Sequence, residues 1–336
     1  MKKMKRLAIM SATGTAQKRT IPGVMERQIC EIVGIQGRNP EKTEAVSKKY
    51  SIPFHCTDPA ELLDTVHPDF AFIGSPPFLH LEQIRLCTDR HIPVLCEKPL
   101  CITASDAREI QRNVEASGID FRLAHHLRHQ PGIREARKII DSGRLGHVRR
   151  ASLQWAFWVR EEAPSTTWKS DPRTGGHHAF FDSGIHAIDL MLYLLPPPRR
   201  LAALGIKARF EKTFDTISVV VDCGDAVAEL GSSQSTRFPL NALTIDLEDG
   251  TIHAPRALSE LPIESMQVIS AAGTEVKAFQ PQNPYGEEIA DFVRLLDGEK
   301  TNATTLAESV RGVEILNAIT LASHDGVAVA LTGNLQ

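Results

Sequence analysis

Asp182 and His186 stand four residues apart in Phe181-Asp-Ser-Gly-Ile-His-Ala-Ile-Asp189, so both share one face if the segment is helical. Early in a helix, His186 would sit at the positive end of the dipole, which favours the neutral imidazole. A neutral imidazole can accept a proton from an alcohol, and a carboxylate beside it can orient the ring and stabilise the imidazolium. Gly184 between them leaves room for a ligand to come close. The same residues also read as a helix capped by Asp182, with His186 a satisfied core histidine.

A further candidate is Lys98, in Cys96-Glu-Lys-Pro-Leu100 after an apolar run. In open α/β sheets ligands bind outside the carboxyl ends of the strands, so a lysine there points into the crevice. Pro99 keeps Lys98 away from helical geometry. A solvated lysine after a strand is equally ordinary, so its position is what gives it weight.

Ser11-Ala12-Thr13-Gly14-Thr15-Ala16 follows the first apolar run, where a strand turning into a helix makes an anion site for pyrophosphate from backbone N–H groups. Compared with G-x-G-x-x-G/A, Ser11 and Thr13 replace the first two glycines and only Ala16 fits. After the second run, where an acidic residue would grip ribose hydroxyls, the chain has Gln36-Gly37-Arg38-Asn39. No carboxylate repels a 2′-phosphate there, and Arg38 can clamp one, so the reading is NADP(H), with NAD(H) the alternative.

These groups need elements to position them. Near-continuous apolar runs at 7–10, 31–35, 70–74 and 93–96 suit strands covered on both faces. Helix starts lie between them: Asn39-Pro40, Asp58-Pro59 with Glu61, and Thr103 with Asp106. Alternating strand and helix predicts a doubly wound, Rossmann-type α/β domain. Beyond residues 118–125 the pattern changes. Leu153, Trp155, Phe157 and Val159 recur at period two, and further β-type runs cover 216–221, 226–230, 243–247, 266–270 and 274–279. Asp249-Gly250 marks a tight hairpin. The expected fold class is α/β, a Rossmann domain at 1–122 followed at 123–336 by an α/β domain with an open, mostly antiparallel sheet. Two late helices are expected, at 285–297 and 305–324.

With 336 residues, 42% of them hydrophobic, two packed domains are the default. A net charge of −3 gives no reason to expect nucleic acid or an anionic membrane as partner. No apolar run nears the roughly 20 residues of a membrane span. The six cysteines show no C-x-x-C pairing and read as buried thiols in a reducing, cytoplasmic setting. His125, His126, His129, His177 and His178 invite a metal reading; His126 and His129 have ligand spacing, but no acidic partner lies near, and no metal is expected.

Taken together, the stretches 71–80, Glu97-Lys98-Pro99, 141–148 and the D-x-G-x-H-x-x-D of 182–189 resemble the Gfo/Idh/MocA family (glucose-fructose oxidoreductase, inositol dehydrogenase, rhizopine catabolism). The resemblance implies a nicotinamide-dependent oxidoreductase acting on a secondary alcohol or ketone of a sugar, cyclitol or related carbohydrate. It implies that Lys98 reaches the reacting oxygen, that His186 handles the proton, and that Asp182 assists it or contacts substrate. Ala12, Thr13, Gly14, Thr15, Ala16, Gly37, Arg38, Ser75, Pro76, His80, Glu97 and Lys98 would line the dinucleotide. Arg128 would contact substrate and Trp168-Lys169 would wall the pocket, with packing as the alternative for both. His177 and His178, standing where the family has glycines, would intrude on the pocket and narrow its range. The family also implies pairing through the sheet's exposed face, as a homodimer or homotetramer. Two other readings are a glycosidase-like hydrolase that keeps its nicotinamide bound, and a non-catalytic nucleotide-binding regulator. Joint retention of Lys98, Asp182 and His186 argues against the regulator.

Overall fold

The computed structural model describes residues 4–160, 166–169 and 171–331. The chain divides into two compact units, Met1–His126 with Asn283–Val310, and Leu127–Gln282 with Arg311–Gln336. Whereas the sequence predicts one boundary at 122/123, the first unit also takes back a late stretch of chain.

In the first unit, strands β1 (Lys5–Met10), β2 (Cys30–Gln36), β3 (His55–Cys56), β4 (Phe70–Ile73), β5 (Val94–Glu97) and β6 (Phe121–Ala124) form a parallel sheet in the order β3-β2-β1-β4-β5-β6. That is the Rossmann order, with the chain reversing direction across the sheet after β3. Every residue of β4 and β5 is buried, as the continuous apolar runs require. The expected helix starts are present. Asn39, Asp58 and Thr103 accept hydrogen bonds from the backbone N–H groups of Lys42, Glu61 and Asp106 at 2.8, 2.8 and 3.1 Å. The late helix Pro284–Leu296 returns here because its apolar stripe belongs to this core: Ile289 and Phe292 are buried with Leu7, Ile9 and Phe70.

The second unit holds a nine-stranded sheet of β7 (Val148–Ala156), β8 (Arg200–Ile206), β9 (Thr216–Asp222), β10 (Val227–Ser233), β11 (Leu243–Leu247), β12 (Gly250–Ala254), β13 (Ser265–Ser270), β14 (Gly273–Ala278) and β15 (Val329–Ala330). Its order is β14-β13-β12-β11-β7-β10-β9-β8-β15, antiparallel except where β7 and β10 run parallel. Alternation sends Ala151, Leu153 and Trp155 of β7 to the buried face, which the helix Gly184–Leu194 covers. The opposite face leaves Leu204, Ile206 and Val220 more than half exposed.

Candidate active site

The turn after β1 closes without the usual first glycine because Ser11 adopts the left-handed conformation itself, at φ 56°. For a serine this costs about 1–2 kcal/mol, and the surrounding bonds hold it there. Its N–H donates to Gln36 Oε1 (3.0 Å), Ala12 N–H donates to the Gln36 carbonyl (2.8 Å), and Gln36 Nε2 donates to the Thr57 carbonyl (2.8 Å). Ala12 and Ala16 are buried, while Gly14 is exposed, with nothing within 4 Å of where a side chain would begin. Thr15 opens the one-turn helix Thr15–Lys18. These residues fit a dinucleotide, since an exposed glycine directly ahead of a helix start leaves space for a phosphate to approach.

Gly37 has no such space. A side chain there would collide with the Thr43 hydroxyl and come within 3.0 Å of the Thr13 methyl group. The bulk of Thr13 is thus packed toward Gly37, and the place of the ribose-binding acid is filled from both sides. Arg38 beside it is exposed, ahead of the helix Pro40–Tyr50.

The loops after β4 and β5 are tied together. The Ser75 hydroxyl donates to Gln83 Oε1 (2.7 Å). His80, at 0% exposure, sets Nε2 2.9 Å from the Ser75 carbonyl and Nδ1 3.0 Å from the Leu100 carbonyl. Burial pushes the imidazole below its ordinary pKa, and the carbonyls work against that. The family resemblance places His80 along the dinucleotide; the structure buries it as a link between loops. Glu97 is buried and accepts from the Lys98 N–H (3.2 Å), Lys98 is half-buried, Pro76 is partly exposed, and the Lys98–Pro99 peptide is cis.

In the second unit the helix starts at Gly184, so His186 occupies its first turn and Asp182 lies just ahead of it. Asp182 is neither on a shared helical face nor the N-cap of that helix, which is Ser183. Its carboxylate accepts from Lys169 Nζ (2.7 Å) and Gln234 Nε2 (3.3 Å). His186 is buried and stacks on Trp155, ring centroids 4.5 Å apart. Gly184 does not leave open room for a ligand: its missing side chain makes way for the Phe180 ring. Gln234 and Trp155 are the residues beside Asp182 and His186 that motif reading missed. Lys169 reads in the sequence, together with Trp168, as a pocket wall, and the Trp168 ring lies under its ammonium at 5.7 Å.

Other expected contacts are engaged elsewhere. Arg128 and Asp189, both 2% exposed, pair at 2.8 Å, and the guanidinium also lies over Tyr193. These contacts are those of the packing alternative. His178 is a core histidine as well. Its Nε2 meets the Leu316 carbonyl (3.2 Å) and the Thr320 hydroxyl (3.0 Å), and burial pushes its pKa down to about 3. His177 is exposed. His126 stacks on Tyr285, Arg134 donates to His129 Nδ1, and His125 is buried. Among the described residues, no group of three His, Cys, Asp or Glu side chains is placed to hold a metal, nor is any helix long and apolar enough to cross a membrane.

Comparison with known proteins agrees with this architecture. Residues 5–125 match the model of the oxidoreductase family with an NAD-binding Rossmann fold, and residues 133–253 match the GFO/IDH/MocA C-terminal domain. The chain is 26% identical to D-xylose 1-dehydrogenase (NADP(+)) 2 of Haloferax volcanii, over 96% of this chain and 98% of that one. It is 22% identical to 1,5-anhydro-D-fructose reductase of Ensifer adhaerens, over 99% and 100%. The crystal structure of aldose-aldose oxidoreductase from Caulobacter crescentus, complexed with glycerol, superposes with a TM-score of 0.89 at 19% identity, covering 98% of this chain and 100% of that one. Its likeness extends the shared fold to both units. With the Rossmann strand order, the mixed nine-stranded sheet and two matching domain models, the chain belongs to the Gfo/Idh/MocA family of NAD(P)-binding oxidoreductases.

Proposed function

We propose that the protein is a dehydrogenase or reductase that interconverts a secondary alcohol and its ketone on a sugar, cyclitol or related carbohydrate, using NADP(H) in preference to NAD(H). The anchoring of Asp182 carries this reading. A carboxylate held by Lys169 and Gln234 is fixed beside a helix whose first turn carries His186 against Trp155. Such a constellation is suited to moving a proton on a hydroxyl. A bound nicotinamide supplies or takes the hydride. His186 takes the hydroxyl proton on oxidation and returns it on reduction, while the Lys98 ammonium stabilises charge on the oxygen. The NADP preference is supported by Gly37, hemmed in by Thr13 and Thr43, and by the exposed guanidinium of Arg38. The NADP(+) in one relative's name agrees with it. The hydrolytic alternative draws on His177 and His178 as pocket residues, and burial of His178 in the core leaves it only the exposed His177.

Fluorescence titration with NADPH and NADH, followed by a panel of pentoses, hexoses, anhydrosugars and cyclitols, tests the reading. NADPH should bind more tightly, and Arg38→Ala should weaken it by about 1–3 kcal/mol, chiefly for NADPH. Lys98→Ala should lose turnover by orders of magnitude and keep dinucleotide binding. Equal binding of both cofactors, unchanged in Arg38→Ala, would refute the preference; near-normal turnover in Lys98→Ala would refute the role of the lysine. We propose also that copies pair through the outer sheet face, where Ala202 lies across from Val220 and Leu204 and Ile206 are exposed. Light scattering that finds only monomer at micromolar concentration would exclude this.

A further inference from the structure

His80 joins two loops that leave different strands. Its ring lies between the Ser75 carbonyl, two residues past β4, and the Leu100 carbonyl, three residues past β5. The ring is inaccessible to solvent. Carbonyl oxygens only accept hydrogen bonds, so each contact is a hydrogen bond only while its nitrogen carries the proton: the neutral ring that burial favours makes one of them at a time, and the protonated ring makes both. Gln83, one helical turn further along His80–Thr88, holds the Ser75 hydroxyl independently. The Ser75 side therefore has two anchors on this helix, while the Leu100 side has His80 Nδ1. Leu100 is two residues from Lys98, and a backbone shift at Leu100 passes through Pro99 to the lysine.

We propose that His80 is a positioning residue for Lys98: its Nδ1 bond to the Leu100 carbonyl sets where the Lys98 ammonium can reach, and its Nε2 bond to Ser75 serves the neighbouring loop. This rests on the assignment of Lys98 to the reacting oxygen. It also changes the role of the histidine, from a group along the dinucleotide to one acting through the lysine.

The two bonds can be cut separately. The amide nitrogen of asparagine stands near the place of Nδ1, and that of glutamine near the place of Nε2. His80→Asn therefore keeps the Leu100 tie and His80→Gln the Ser75 tie. Hydrogen exchange by mass spectrometry on the full chain reads each loop, and competitive acetylation with acetic anhydride reads the reactivity of Lys98 without any substrate. In His80→Asn, exchange should rise at 74–79 alone and Lys98 should label at the wild-type rate. In His80→Gln, exchange should rise at 97–103 and Lys98 labelling should accelerate about fivefold, the equivalent of one lost hydrogen bond. Gln83→Leu should loosen 74–79 and leave Lys98 unchanged. A purely structural role would shift both loops and Lys98 together in both His80 variants, and that result overturns the proposal. So does an unchanged Lys98 rate in His80→Gln, or a changed one in Gln83→Leu. Failure of the functional reading looks different: a wild-type chain that binds neither NADPH nor NADH, whatever the exchange pattern.

Discussion

At the strand ends of the first unit, polar side chains are held largely by backbone atoms. His80 rests on two carbonyls, Gln36 bonds the Ser11 N–H and the Thr57 carbonyl, and Asn39, Asp58 and Thr103 cap helices. Around Asp182 in the second unit, side chain holds side chain. Lys169 and Gln234 grip Asp182, Arg128 grips Asp189, and Ser183 meets Ser232. A backbone partner survives any substitution at its own position, so the first arrangement tolerates change. That is how a turn with Ser11 and Thr13 in place of two glycines keeps the Rossmann order. A side-chain pair fails with either member, and a buried charge left alone is expensive.

The sharpest way to break this contrast is Arg128→Met. It strands Asp189 in the core and should destabilise the protein by about 3–5 kcal/mol in urea, with Arg128→Met/Asp189→Leu recovering much of the loss. If the single variant costs less than about 1 kcal/mol, on the scale of an exposed ion pair, the contrast fails at its strongest point.

His178 offers a second, pH-dependent test. Its pKa in the folded protein, about 3, lies below the ordinary 6.5, so folding disfavours the protonated ring. The unfolded chain binds the extra proton first as pH falls, and stability is lost progressively from about 6.5 down toward 3. The window is worth a few kcal/mol. His178→Gln, which can still donate to the Leu316 carbonyl, should have a flatter dependence of melting temperature on pH between 6.5 and 4.5. A slope equal to that of the wild type would show that the acid sensitivity comes from other groups.

Lys169→Met should give the smallest change in stability, about 1 kcal/mol or less, because the lysine is a third exposed. Its effect on catalysis should be larger, a loss of about tenfold in kcat/KM, since Asp182 loses its principal anchor. Parallel small losses in both would reduce Lys169 to a surface contact.

What the sequence determined by itself was whatever depends on near neighbours. Strand burial follows from runs of four to seven residues, and each helix cap binds an N–H two or three positions on. The motifs around Lys98 and His186 are contiguous, so the order of residues along the chain was enough to reveal the family. The placement of single side chains was not legible in that order. Asp182 finds Gln234 across 52 residues, Arg128 finds Asp189 across 61, and His178 finds Leu316 across 138. These pairs join segments that only the tertiary fold brings together, namely the end of β10 for Gln234, the helix Gly184–Leu194 for Asp189 and the helix Leu306–Asp325 for Leu316. For the same reason the i, i+4 spacing of Asp182 and His186 predicted a shared helical face. In the folded chain Asp182 is drawn to Lys169 and Gln234, and the helix begins only at Gly184.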